Sequence, residues 1–407
     1  MSKQAKTWLS GIGVLTAVSL FAAGCGNSGA AGAKQGAGTG GQEAKKQQEL
    51  NIAVFEGGFG KKYWEDISKK FEADHPGTKV NITSNPKILD VIKPQMIAGN
   101  PPDFMYINVT DDVKAMISDK AFADITDVFD ATAPGESEKI KDKLIDGVLE
   151  NGKPYGDGKV YLAPTNLTVL GLWYNKTLFQ QKGWKVPETW DEFLALGEAA
   201  KKEGRSLFTY QGMYPSYNES VFWPTLASVG GPDLLKKIAD YEEGSFRSEP
   251  VKKVLSVYDQ MAKKGYVMPG TVAMNHTQAQ TEFLQGKALF IPNGSWFEGE
   301  MKDAPREEGF QFGFMAPPVF NKGDQRYALT SNEIMVVPAK AKNKDLAKEF
   351  IKYQYKKESI ILNAQLSGSV MPVKSGADMV KDSIPKSTYE AMKVFDNGVK
   401  QFPSNGK

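Results

Sequence analysis

Hydrophobic and polar positions change period several times along the chain, and each change marks an element. "ELNIAVFEGG" alternates, then runs apolar through Ile52, Ala53, Val54 and Phe55, and stops at Gly57-Gly58. This predicts a buried first strand. In "KKYWEDISKKFEADHPG" the apolar Tyr63, Trp64, Ile67 and Phe71 recur at helical spacing, and Pro76-Gly77 ends the segment. "TKVNITS" reads as a second strand, "ILDVIKPQMIAGNPP" as a helix with an internal Pro94, and "DFMYINV" as a third strand. Strand, helix, strand, helix, strand predicts a parallel α/β sheet. Ligands of such sheets sit in the loops beyond the carboxyl ends of the strands. Those loops hold Glu56, Gly57, Gly58 and Phe59 after the first strand, and Asn108, Thr110 and Asp111 after the third.

A second α/β unit begins near residue 164. "VLGLWYNKTLFQQKG" predicts a buried strand entering a helix. "VPETWDEFLALGEAAKKEG" places Glu192 three residues after Thr189, a capping box ahead of an apolar stripe. "EFLQGKALFIPNGSW" reads as a helix end, a tight Gly286 and a strand from Ala288 to Ile291. The residues beyond position 48 are too many for one core and fit two lobes. No short-period repeat is present.

The N-terminus follows a different pattern. Lys3 and Lys6 precede a mostly apolar run from Trp8 to Ala23, and the small Ala22, Ala23 and Gly24 lead into Cys25, the only cysteine. That order reads as a signal peptide over residues 1–24 rather than a membrane span, with Cys25 acylated as the mature N-terminus. Ala22 stands where lipidation signals prefer Leu. More than one acyl chain on a single cysteine gives stable anchoring, which places the protein outside the cytoplasm on the outer face of the membrane. Residues 25–48, dominated by Gly, Ala, Gln and Lys, read as a flexible linker. "GAGTGG" (Gly36 to Gly41) matches a dinucleotide fingerprint only in letters, because no strand precedes it and no helix follows. Loss of Lys3 and Lys6 lowers the 50 basic residues to 48, against 48 acidic ones. A near-neutral mature chain argues against nucleic acid and against a polybasic membrane patch.

Catalytic chemistry finds little support. The two histidines, His75 and His276, are far apart, and the cysteine is spent on the anchor. Histidine-rich zinc sites and Cys–His pairs are therefore excluded, and no G-x-S-x-G elbow occurs. His75, before Pro76, reads as a solvated helix end. Carboxylate pairs such as Asp111-Asp112, Glu242-Glu243 and Glu307-Glu308 are sequence neighbours that point apart; a glycosidase needs two opposed acids, and nothing marks such a pair. No metal and no cofactor are expected. The aromatic supply carries more information. "TYQGMYPSYNESVFW" gathers Tyr210, Tyr214, Tyr217, Phe222 and Trp223, and Tyr214-Pro215-Ser216-Tyr217-Asn218 is a loop by composition. "IPNGSWFEG" turns at Asn293-Gly294 and presents Trp296. Flat rings suit the C–H faces of pyranoses, and nearby Asn108, Asn293 and Glu298 suit hydroxyls. The same rings would also serve as caps on a core.

With these segments in view, the chain resembles the family 1 extracellular solute-binding lipoproteins of carbohydrate ABC transporters. "PTNLTVLGLWYNKTLFQQKGWKVPETWDEF" (Pro164 to Phe193) is close to the family signature, with its Tyr-Asn at Tyr174-Asn175 and with Trp173 in place of the usual aliphatic residue, Phe or Tyr. "MIAGNPPDF" and "NKDLAKEFIKYQY" match other family blocks, and the resemblance covers nearly the whole mature chain. "FEGGFG", "TYQGMYPSY" and "ASVGGPDLL" are similar to the branch that binds N-acetylglucosamine and chitobiose.

The resemblance implies an α/β, two-lobed periplasmic-binding-protein type II fold of the Venus-flytrap kind, each lobe a mostly parallel sheet flanked by helices. One lobe would take residues 49–163 and 317–358, the other 164–316 and 359–407. It implies ligand contacts at Glu56, Phe59, Asn108, Asn166, Tyr214, Tyr217, Trp296 and Asn332, lipidation at Cys25, and a monomer that captures a mono- or oligosaccharide and hands it to the permease subunits. It implies binding without turnover. Open beside it stand a receptor for cello-, malto- or xylo-type sugars, a surface glycosidase, and a sensory or adhesive lipoprotein.

Overall fold

The structure is a computed structural model and describes residues 48–403; the leader, Cys25 and the linker up to residue 47 lie outside the described residues. The first strand, β1 (Gln48–Phe55), starts at the residue that ends the expected linker. β2 (Thr78–Asn85) and β3 (Phe104–Ile107) flank it, both parallel to it, as the strand and helix alternation predicts. β3 is apolar throughout and wholly buried, because it is enclosed between β1 and a later strand with side chains packed on both faces.

The helix Lys62–Asp74 turns Tyr63, Trp64, Ile67 and Phe71 inward. Trp64 lies 4.5 Å from the Tyr106 ring and 5.5 Å from Phe104, so one helix face seals one face of the sheet. The other face of β1 and β3 packs against Ile88, Ile92 and Val113. His75 ends the helix by packing, not solvation: its ring stacks 3.9 Å from Phe71. In "NPPDF" the buried Asp103 accepts from Asn51 N (3.0 Å) and Asn343 N (2.8 Å), tying β1 to the start of the helix Lys344–Gln354.

The remaining strands are β4 (Ala163–Asn175), β5 (Ser206–Phe208), β6 (Ala288–Gly294), β7 (Phe312–Met315), β8 (Tyr327–Val336) and β9 (Lys400–Pro403). The sheet runs β2-β1-β3-β8-β4-β6-β5, with β7 beside β4 and β9 beside β8. The α/β class holds, but the sheet is mixed. β8 is antiparallel to β3 and to β4, and β4 is antiparallel to β6 and β7; β5 with β6 and β8 with β9 are parallel pairs. The antiparallel pairs arise because β4 and β8 run past each other in opposite directions, one outgoing and one returning. β4 first pairs with β8 and then, at its far end, with β6 and β7, so one continuous strand joins the two parts of the sheet. A bulge between Thr165 and Leu167 interrupts that pairing, and Asn166 there has φ +36°. The capping box of Thr189 and Glu192 forms as the sequence predicts.

Candidate functional site

Trp296 is the centre of the most convergent group. Asn293 and Gly294 are the last residues of β6 rather than the expected turn, which falls at Ser295-Trp296, and the indole folds back over the strand end. A Cβ on Gly294 would come within 2.1 Å of the ring, so only glycine allows this approach. On the other side stands the loop after β1. A Cβ on Gly58 would lie 2.7 Å from the indole, and Phe59 meets it edge-on, 6.5 Å away at 81°. Gly58 and Gly294, both visible in the sequence, thus admit one tryptophan between them. Below the ring, Ser295 fixes the turn: its Oγ accepts from Val169 N at 3.3 Å and its carbonyl from Thr388 Oγ1 at 2.8 Å.

Glu56, at the base of the first loop, accepts from Ser84 Oγ at 2.9 Å and is half-buried. Tyr214 is exposed, and its ring lies 5.1 Å from His276. Tyr217 is half-buried in the short turn Pro215–Asn218. Burial, then Glu300 and Tyr214, push its hydroxyl above the usual range. Asn275 caps the helix His276–Leu284, and that helix carries the fully buried Gln280, whose Nε2 donates to Glu300 Oε2 at 2.8 Å. Glu300 itself donates its N–H to Trp296 O at 2.8 Å. Phe59, Trp296, Tyr217 and Tyr214 are therefore linked through Glu300, Gln280 and His276. Sequence reasoning missed Glu300 and Gln280. The one signal available was the Asn275-x-x-Gln278 box, which starts the helix that carries Gln280.

Three expectations change. Phe222 and Trp223, grouped in the sequence with the ring supply for a ligand, lie on the helix Glu219–Ala239 and pack beside Leu226 and Val254. Glu298 does not face outward for hydroxyls, because it accepts from Ser387 Oγ and so tethers the helix Lys386–Met392. Asn293 is enclosed and its Oδ1 is taken by Gly294 N at 2.9 Å, which leaves only its Nδ2 without a partner among the described residues.

Asn166 is also placed differently from its expected role. Its Nδ2 donates to Tyr106 Oη (2.7 Å) and to Glu333 Oε2 (3.0 Å), and its Oδ1 accepts from Asn363 Nδ2 (2.8 Å) and Ser369 Oγ (2.9 Å). An amide with both ends filled has nothing left for a ligand. Glu333 accepts a further hydrogen bond from Tyr106, and enclosure of its carboxyl raises it from 4.5 to about 8. Asn332, opposite Leu167 on β8, is buried and lines a cavity of about 230 Å³ with Asn151 and Thr330. Asn108 is half-buried just past β3.

Residues 56–360 match the family described as bacterial extracellular solute-binding protein. The chain belongs to this family. A solute-binding protein captures and releases its ligand unaltered, so the glycosidase reading falls away. The chain is 27% identical to the diacetylchitobiose binding protein NgcE of Streptomyces coelicolor, across 94% of this chain and 82% of that one. It is 24% identical to the multiple sugar-binding protein of Streptococcus mutans, across 76% of this chain and 71% of the relative. Among solved structures, a chitin oligosaccharide binding protein superposes with a TM-score of 0.70 at 22% identity, covering 88% of each chain. RafE of Streptococcus pneumoniae gives 0.69 at 22% identity, covering 88% of this chain and 89% of its own. The fold is the type II solute-binding architecture. Among the described residues no helix is long and apolar enough to cross a membrane.

Proposed function

We propose that this solute-binding protein is the extracytoplasmic receptor of a carbohydrate ABC importer, taking N-acetylglucosamine, chitobiose or short chitooligosaccharides, and held to the membrane through a lipid on Cys25. The observation that carries the reading is the Trp296 indole, seated between Gly294 and the Gly58-Phe59 loop, with Glu300 one helical turn on and Tyr217 facing Glu300. A half-buried ring beside polar groups is what a pyranose needs: a flat apolar face, and donors and acceptors at its rim. The chitobiose-binding relative supports the nitrogen-bearing sugar. A raffinose complex on the same fold supports a second reading, a different oligosaccharide.

Capture follows from the crossing strands. β4 and β8 join the part of the sheet that ends in the Phe59 loop to the part that ends in Trp296, and the two parts close over the sugar. The ligand drives closure by binding the closed state more tightly, and the permease takes its cargo from that state. One aromatic stack contributes about 1 kcal/mol. A micromolar complex needs about 8 kcal/mol, so hydrogen bonds to the acetamido and hydroxyl groups supply most of the rest.

The test is an intrinsic-fluorescence titration with N-acetylglucosamine, chitobiose, cellobiose, maltose and raffinose side by side. Saturable change with chitobiose at the lowest concentration is expected, with the sugar recovered intact by chromatography. Tighter response to cellobiose, maltose or raffinose moves the ligand to that class.

A further inference from the structure

The neighbourhood of Trp296 holds hydrogen-bond acceptors that the protein leaves unfilled. β5 and β6 are parallel, and Gln211 and Asn293 lie at their carboxyl ends, the place where α/β sheets receive ligands. Gln211 is fully enclosed and gives its Nε2 to Pro292 O at 3.0 Å; Gln280 is equally enclosed and gives its Nε2 to Glu300. The Oε1 of each has no partner among the described residues. A buried carbonyl oxygen left unpaired costs about 1–3 kcal/mol; two of them, beside the unfilled donor Asn293 Nδ2, favour a ligand that carries donors as well as an acceptor, as an acetamido group does.

Glu300 adds the charged member. Its Oε2 takes the Gln280 hydrogen bond, which also fixes the amide: turned over, Gln280 would set its carbonyl against the carboxylate. Glu300 is exposed as a residue, yet its carboxyl end turns in toward Gln280 and Tyr217. Desolvation pushes it above the usual carboxylate range, against the lowering effects of Gln280 and His276. Through its N–H on Trp296 O, it lies one helical turn beyond the indole. A β-linked glucosamine unit carries its substituents equatorially. Stacked on Trp296, it points them outward, in the plane of its ring, toward whatever surrounds the platform.

We propose that Glu300 sets the sugar specificity of this site by accepting the N–H of the acetamido group at C2, with Gln280 as its positioning residue. The inference rests on the reading of the site as a receptor for N-acetylglucosamine units. An amide N–H can only donate, so a fixed carboxylate oxygen matches it without ambiguity. A bond of this kind to an ionised acceptor is stronger than its neutral counterpart.

Isothermal titration calorimetry of the full chain and of Glu300→Gln with chitobiose, the fully deacetylated glucosamine dimer and cellobiose tests it. Glutamine keeps the shape and can still accept from Gln280, so the fold is retained. The wild type is expected to favour chitobiose over cellobiose. Glu300→Gln should weaken chitobiose about tenfold, the gap between a charged and a neutral hydrogen bond, and move cellobiose less than twofold. Gln280→Met should shift the same ratio by a smaller factor. Equal loss for both sugars, or none, overturns the role of Glu300. Tighter binding of the glucosamine dimer, abolished by Glu300→Gln, overturns the acetamido assignment in favour of an ammonium. A wild type that binds neither nitrogen sugar overturns the underlying receptor reading instead.

Discussion

Asn166 Nδ2 donates to Glu333 Oε2 across 3.0 Å, and this bond joins the outgoing strand β4 to the returning strand β8 at the point where the sheet changes from one part to the other. Tyr106, from β3, donates to the same carboxyl. The groups facing Glu333 are thus a phenol and an amide, both neutral, and burial outweighs them, raising the carboxyl to about 8.

That shift has a sign. A carboxyl with a folded-state value near 8 and an ordinary value of 4.5 holds its proton more tightly when folded. The stability it confers is complete below pH 4.5 and is lost as pH rises through 8. Thermal unfolding of the wild type should fall between pH 6 and pH 9 by an amount on the order of a few kcal/mol. Glu333→Gln keeps the hydrogen-bonding shape and should flatten that dependence. Parallel curves for the two proteins would show that Glu333 does not titrate in this range.

The two glycines around Trp296 give a prediction at the site itself. Gly58→Ala places a methyl 2.7 Å from the indole and must move the ring. Small-to-large changes in packed places cost about 1–3 kcal/mol, and here the displaced group is the ring offered to the sugar. Gly58→Ala should weaken chitobiose binding about tenfold by calorimetry, and Trp296→Ala at least as much, with both proteins still folded by circular dichroism. Affinities within twofold of wild type for both would remove the indole from the site.

The parts of this fold that could be read from the sequence are the local ones. Tyr63, Trp64, Ile67 and Phe71 mark a helix face because their spacing is a property of a few turns; Asn293-Gly294, which reads as a turn, instead closes β6 in register with β4, and the chain turns just after it at Ser295-Trp296. The mixed sheet could not be read this way. β8 lies between β3 and β4 through pairings that no window of sequence contains. Asn166 shows the cost of carrying a role over by resemblance: its four partners come from β3, β8 and the segment 363–369, up to 203 residues away. Glu300 escaped notice because an isolated "FEGE" reads as a solvated face, and Gln280, the residue that turns it inward, sits on a different helix.

Asp103 is the anchor of the first part of the sheet. Its carboxylate is buried and takes backbone N–H groups from Asn51 and Asn343. Asp103→Ala leaves both without an acceptor. At about 1–3 kcal/mol for each orphaned group, the urea midpoint should fall by the equivalent of about 2–6 kcal/mol. Asp103→Asn, which retains one acceptor oxygen, should lose less. If alanine and asparagine lose the same amount, the hydrogen bonds are not what Asp103 contributes.

Asn166 separates a crossing anchor from a ligand contact, because two effects of Asn166→Gly oppose each other. Glycine relieves the left-handed backbone at φ +36°, a gain of about 1 kcal/mol. It also strips Asn363 Nδ2 and Ser369 Oγ of their acceptor and Glu333 of a donor. Orphaned buried groups cost about 1–3 kcal/mol each, so the loss exceeds the gain and the unliganded protein should be destabilised by about 2–4 kcal/mol. Because the amide is filled by the protein, sugar affinity measured well below the unfolding temperature should stay within about threefold. A ligand contact would give the reverse, with stability kept or raised and affinity lowered tenfold or more. Chemical denaturation and calorimetry on the one variant decide between them.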